Sequence, residues 1–134
     1  MPRLSTIIKG LKEQSAAVAA LISSADGLVL EAVDDAGLDL ESLAAYAASS
    51  VMVSERMGET TAFGSPEAVV IFYRGRPLVI TPLGPVVVAL VGTEHTPAGA
   101  LRMHIRRATV DLISAVQDEL QGPPGASGPT TAAS

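Results

Sequence analysis

Cysteine and tryptophan are absent from the 134 residues, and only two tyrosines, two phenylalanines and two histidines are present. The lack of cysteine excludes disulfides, thiolate metal sites and a cysteine nucleophile, and it fits a reducing, cytoplasmic setting. Aromatics at 3% leave a core of Ala, Val, Leu and Ile. Charged residues are few, at 17%, and acids outnumber bases to give a net charge of −5. Such a surface does not attract phosphate backbones, so nucleic acid is not an expected partner. The longest apolar run, Val86-Val87-Val88-Ala89-Leu90-Val91, is far short of the ~20 residues that span a bilayer. Lys9, Lys12 and Glu13 interrupt the apolar pattern of MPRLSTIIKGLKEQ, which is not the uninterrupted apolar segment of a signal peptide.

Signatures of catalysis are missing too. No GxSxG, HExxH, GxxxxGK[ST] or GxGxxG occurs, so no serine elbow, zinc helix or phosphate loop is indicated. His104 stands beside Arg102, Arg106 and Arg107, without nearby ligands, and reads as a partly exposed helix residue. The three arginines read as a solvated stripe in which Arg107 pairs with Asp111, an exposed i,i+4 ion pair worth about 0.3–0.5 kcal/mol. Asp26, Glu31, Asp34, Asp35 and Asp39 crowd one region, but their spacing is not that of a twelve-residue calcium loop. They read as loop acids plus one helix cap. No metal and no cofactor is expected.

What is present is strong patterning. At 48% apolar residues, the chain suits one domain with one core. Leu4, Ile7, Ile8 and Leu11 recur at helical spacing over about residues 3–14, with Lys9, Lys12 and Glu13 off the stripe. Residues 17–22 form a run apolar on both faces. Asp26-Gly27 then predicts a hairpin, because both residues tolerate φ > 0, and 28–32 follows as an edge strand. Asp39 is placed to cap a helix through Met57, with Leu40, Leu43, Ala44, Ala47, Val51 and Ser54 on one stripe. Residues 60–64 read as the loop beyond it, with Phe63 folded onto the core. Three strands follow at 67–73, 77–82 and 86–91, with Arg74-Gly75-Arg76 as one turn. Thr96 and Pro97 start a last helix, on which Leu101, Ile105, Ala108, Leu112, Val116 and Leu120 recur. The segment 121–134, QGPPGASGPTTAAS, has three Pro, three Gly and no large apolar group, and is expected to be a disordered tail.

The order α-β-β-α-β-β-β-α, with short turns between strands, predicts an α+β domain over 1–120 built on an antiparallel sheet. Runs 17–22 and 86–91 require cover on both faces and belong in its centre. The first and last helices cover one face. The Ala/Ser-rich middle helix is narrow for the other face, and its own outer side is apolar. A second copy of the chain would cover both, which predicts a homodimer.

SADGLVLEA at the first hairpin, the helix LESLAAYAASSVMVSERMG and the last helix PAGALRMHIRRATVDLISAV, with its Gly-x-x-Arg start, occur in an order that resembles the roadblock family of dynein-light-chain-related domains. Its small bacterial members include MglB-type regulators of Ras-like GTPases. The resemblance spans about residues 3–120. It implies a five-stranded antiparallel sheet in the order 2-1-5-4-3, with helices 1 and 3 on one face and helix 2 on the other. It also implies a homodimer in which middle helices and third strands meet, through Leu43, Ala44, Tyr46, Ala47, Ser50, Val51, Ser54, Val69, Ile71 and Tyr73. A Ras-like small GTPase would dock on the paired middle helices, with Ser49, Val53, Glu55 and Arg56 as partner-binding candidates. The regulator is then no enzyme itself: it reshapes the partner's switch region, by activation, inhibition or tethering. The alternatives are a dimeric scaffold or small-ligand sensor without a GTPase, and, least supported by the residues, a small hydrolase.

Overall fold

The two strands that are apolar at nearly every position lie in the interior of the sheet. The computed structural model describes residues 3–121. In chain order the elements are α1 (Leu4–Ser15), β1 (Ala19–Ser24), β2 (Val29–Asp34), α2 (Leu40–Thr61), β3 (Val69–Tyr73), β4 (Arg76–Leu83), β5 (Val86–Val91) and α3 (Ala98–Gln121). The strands form one antiparallel sheet in the order β2-β1-β5-β4-β3. This is the expected α+β architecture, with β1 and β5 inside and β2 and β3 at the edges. Of the segment expected to be a tail, only Gln121 falls among the described residues, and it closes α3.

Strand alternation sends successive side chains to opposite faces, and each face has its own cover. On one, Ala20, Ile22, Val79, Val88 and Leu90 pack against Leu4, Ile8 and Leu11 of α1 and Leu101, Ile105, Leu112 and Val116 of α3. Each fully buried Leu or Ile there contributes about 1.5–3 kcal/mol. On the other, Leu21, Ile80, Val87 and Ala89 pack against Ala44, Ala47 and Val51 of α2. The small residues let α2 lie close to the β1–β2 turn. A Cβ placed on Gly27 would sit 2.9 Å from the Cα of Ala45.

Several local expectations are corrected. Asp26-Gly27 does not make a two-residue turn. Gly27 alone takes positive φ, at 90°, and the loop is closed by the Ser24 amide donating to Leu28 O at 2.9 Å. The register then slips between Ile22 and Ser23. Two successive positive φ values occur instead at Arg74 and Gly75, 51° and 85°, between the paired Tyr73 and Arg76, which is the signature of a tight primed turn. β1 begins two residues late because Ala16, at φ 58°, ends α1, and the Ala16 and Ala17 amides donate to Glu13 O and Lys12 O. Lys12 is buried, not solvated, and its ammonium meets the Asp35 carboxylate. Arg107 and Asp111 do not pair; the described ion pairs are Lys12–Asp35, Arg102–Glu67 and His95–Glu94. The Thr96 hydroxyl accepts from the Thr93 amide at 3.0 Å and so belongs to the preceding turn. Leu120 is exposed. The first amide of α1, at Leu4, donates to Glu119 of α3 at 3.1 Å, a cap supplied across the fold.

α2 runs four residues past its expected end. Gly58 does not break it, because Gly58 is where the chain returns against the helix: a Cβ there would lie 1.8 Å from the Gly64 carbonyl oxygen. The helix stops at Ala62 with φ 62°, where the Ala62 amide donates to Glu59 O and the Phe63 amide to Gly58 O, at 3.2 and 2.9 Å. This double bond pattern is a common helix stop. Gly58→Ala is therefore expected to destabilise the protein by roughly 2 kcal/mol or more. Gly10→Ala, with open space around its Cβ, should be neutral or stabilising by up to about 1 kcal/mol. Paired denaturation curves check both.

Candidate protein-interaction face

All four aromatic side chains of the sequence are on the surface: Tyr46, Phe63, Phe72 and Tyr73 are 71%, 87%, 63% and 57% exposed. They gather around α2 and the edge strand β3. Phe63 does not fold onto the core as expected, because the helix stop at Ala62 directs it outward. Met52, Val53 and Met57 on α2 are also more than half exposed. Large apolar groups left in water together mark a binding surface.

The 3.6-residue period of α2 divides its expected site residues. Ala44, Ala47 and Val51 are 0%, 1% and 6% exposed and lie inside the chain's own core. Packed there, they have little surface left to offer a second copy. Leu43, Tyr46, Ser54 and Met57 lie on the flank that looks toward β3, where they share grooves with Tyr73 or Val69. Ser50 falls on the same flank by spacing and is half-buried. Ser49, Val53 and Arg56, at steps of four and three, present an outer stripe and are all exposed. Glu55 is exposed but continues the row of Ala48 and Val51, so it does not share that stripe. The serines add little polarity, because Ser49 Oγ donates to Ala45 O and Ser50 Oγ to Ala47 O, at 3.0 and 2.8 Å.

Two grooves flank β3 on its α2 side. One, of about 420 Å³, is lined by Leu38, Leu43, Tyr46, Tyr73, Arg76 and Leu78, among others, at the start of α2 and the end of β3. The second, of about 350 Å³, lies at the other end, between Ser54, Met57, Phe63 and Val69. Val69 packs on the α2 side of the sheet and Val70 on the other, so Ile71 and Tyr73 alternate onto the α2 side with Val69. Between the grooves, β3 has β4 on one side only among the described residues, so its outer backbone groups have no strand partner there.

Three of the five acids near the first hairpin have a structural occupation. Asp34 accepts the Ala36 and Leu38 amides, and Asp35 meets Lys12. Asp39 accepts the Ser42 amide and hydroxyl at 3.1 and 2.7 Å. Among the described residues no group of three or more His, Asp or Glu is arranged to hold a metal, and no helix is long and apolar enough to cross a membrane. What the geometry offers is an apolar face with a free strand edge. Sequence reasoning missed the grooves and Phe63. The available signal was the aromatic count: four rings, none needed by an aliphatic core.

The family model described as the Roadblock/LC7 domain matches residues 4–93. Among solved structures, Myxococcus xanthus MglB superposes with a TM-score of 0.78 at 17% identity, covering 85% of this chain and 94% of that one. An MglB with tetrameric arrangement gives 0.78 at 19%, covering 85% and 88%. A Roadblock/LC7 domain from Streptomyces avermitilis gives 0.78 at 18%, covering 87% and 100%. No curated protein matches the chain by sequence.

The start of the face is set by the Asp39 cap. Hydrogen bonds from the Ser42 hydroxyl and then the Ser42 amide hold the Asp39 carboxyl below its ordinary value of 3.8. A depressed folded value means that the cap stabilises above 3.8 and that this contribution is lost as pH falls through the lower folded value. Asp39→Ala should lower the thermal midpoint at neutral pH, and the gap from wild type should close in acid. Melting curves across that range check it; a gap independent of pH would contradict the capping account.

Proposed function

Because the chain belongs to the Roadblock/LC7 domain family, we propose that it works as a non-enzymatic homodimeric regulator or scaffold for a Ras-like small GTPase. The observation that carries this reading is the exposure of all four aromatic side chains, with Tyr46, Phe63 and Tyr73 gathered on the α2 side of β3 and Phe72 on the opposite face of the same strand. Interfaces are enriched in such side chains, whereas a domain acting alone gains nothing by exposing all of them. The tetrameric arrangement reported for one MglB relative supports self-assembly.

The two rows on α2 suggest a division of labour. The flank with Leu43, Tyr46, Ser50 and Ser54, together with Val69, Ile71 and Tyr73, meets the second copy. The outer stripe with Ser49, Val53 and Arg56 then lies on a composite surface of two α2 helices and meets the GTPase. Only differential contact with the GTP-bound and GDP-bound switch conformations lets such a surface bias the partner. Bond-making stays with the GTPase, since the α2 face offers apolar groups, backbone-bonded serines, Glu55 and Arg56, and among the described residues no nucleophile–base pair. Cytoplasmic localisation follows from that partner.

The test is to mix the protein with a Ras-like GTPase loaded with GTP or GDP and to follow complex formation and phosphate release. A complex with one nucleotide state is expected. Val53→Glu should weaken it roughly tenfold or more and leave the dimer mass unchanged. No complex in either state, at concentrations where the protein is dimeric, would overturn the GTPase reading.

A further inference from the structure

Phe63 is the most exposed large apolar side chain in the described structure, at 87%, yet its backbone is firmly held. Its amide donates to Gly58 O at 2.9 Å, and the next residue, Gly64, packs its carbonyl against Gly58. An exposed ring on an anchored backbone loses little freedom on binding, which favours use as a wedge. It contributes nothing evident to its own domain. About 420 Å³ of open groove, meanwhile, stands at the far end of β3, walled by Leu38, Tyr46, Tyr73, Arg76 and Leu78.

In the homodimer proposed above, a two-fold axis beside the middle of β3 relates these two features. Antiparallel pairing of two β3 edges about Ile71 sets Tyr73 of one copy opposite Val69 of the other. An axis perpendicular to the sheet keeps the α2 side of both copies on one side. Val69 walls the groove that holds Phe63, and Tyr73 walls the groove with Tyr46. Within one chain α2 runs opposite to β3, so the same axis brings the last turns of one α2 beside the first turns of the other.

We propose that Phe63 of each copy seats in the Tyr46–Tyr73 groove of a second copy, so that two reciprocal aromatic locks close the dimer. This rests on the homodimer reading above and adds to it which side chain fills which groove. Phe63→Ala should raise the dimer dissociation constant roughly tenfold or more, with the far-ultraviolet spectrum of the folded chain unchanged, since Phe63 is not in the core. The cysteine-free sequence allows a direct test of proximity. Ser65→Cys chains, with the new thiol beside Phe63, are mixed with Leu38→Cys chains, both keeping Phe63, Tyr46 and Tyr73, and treated with a short bismaleimide, while light scattering gives the mass of the untreated wild type. Covalent heterodimers together with a dimer mass support the proposal. A dimer mass without the cross-link, or a Phe63→Ala variant that loses GTPase binding with its dimer constant intact, overturns the lock and leaves the dimer standing. A monomer mass removes both.

Discussion

The close seating of α2 on the sheet is the constraint on which the rest depends. Ala44 and Ala47 face Leu21, Val87 and Ala89, and the Gly27 turn approaches the Ala45 backbone so nearly that no Cβ fits between them. Close packing of this kind makes added volume costly. A layer built from alanine and valine has no space for a ring, and a slim helix cannot reach across five strands. Both consequences are visible. The rings are all outside the core, and β3 keeps an uncovered flank.

The same constraint sets where the chain can carry function. Residues of α2 that touch the sheet are committed to stability, so recognition is left to the rows that turn away from it. The polar groups nearest that face are spent on their own backbone: Ser49 and Ser50 bond to helix carbonyls, and Asp39 caps the helix start. Of the crowded acids at the first hairpin, which by composition suggest ligand chemistry, Asp34 and Asp35 are likewise taken up by amides and by Lys12. What remains is shape, apolar area and a strand edge, the means of a protein that acts on other proteins.

The sheet was legible in the sequence because uninterrupted apolar runs have one physical solution, burial on both faces, and 86–91 and the core of 17–22 meet it. The antiparallel arrangement followed from short turns, and the strand order from the family resemblance. The Asp39 cap and the dual cover by helices were legible for the same local reasons. Other features depend on contacts distant in sequence. Lys12 is buried because Asp35 comes to it across 23 residues. Leu4 needs no cap of its own because Glu119 supplies one. Gly58 continues a helix that its intrinsic propensity would weaken, because Gly64 packs onto it. Ala44, Ala47 and Val51 were placed at an interface by the family resemblance, and the stripe that periodicity gives does not say what it faces. Phe63 was placed in the core on hydrophobicity alone, a rule that works well in one direction only.

The central claim is that the outer edge of β3 is joined to a second copy and the edge of β2 is not. Amide hydrogen exchange read residue by residue, at a high and a low protein concentration, tests it within one molecule. The account predicts that the β3 amides with no bond to β4 exchange slowly at high concentration and faster on dilution, while the free-edge amides of β2 exchange fast at both. Equal, fast and concentration-independent exchange at the two edges would contradict it.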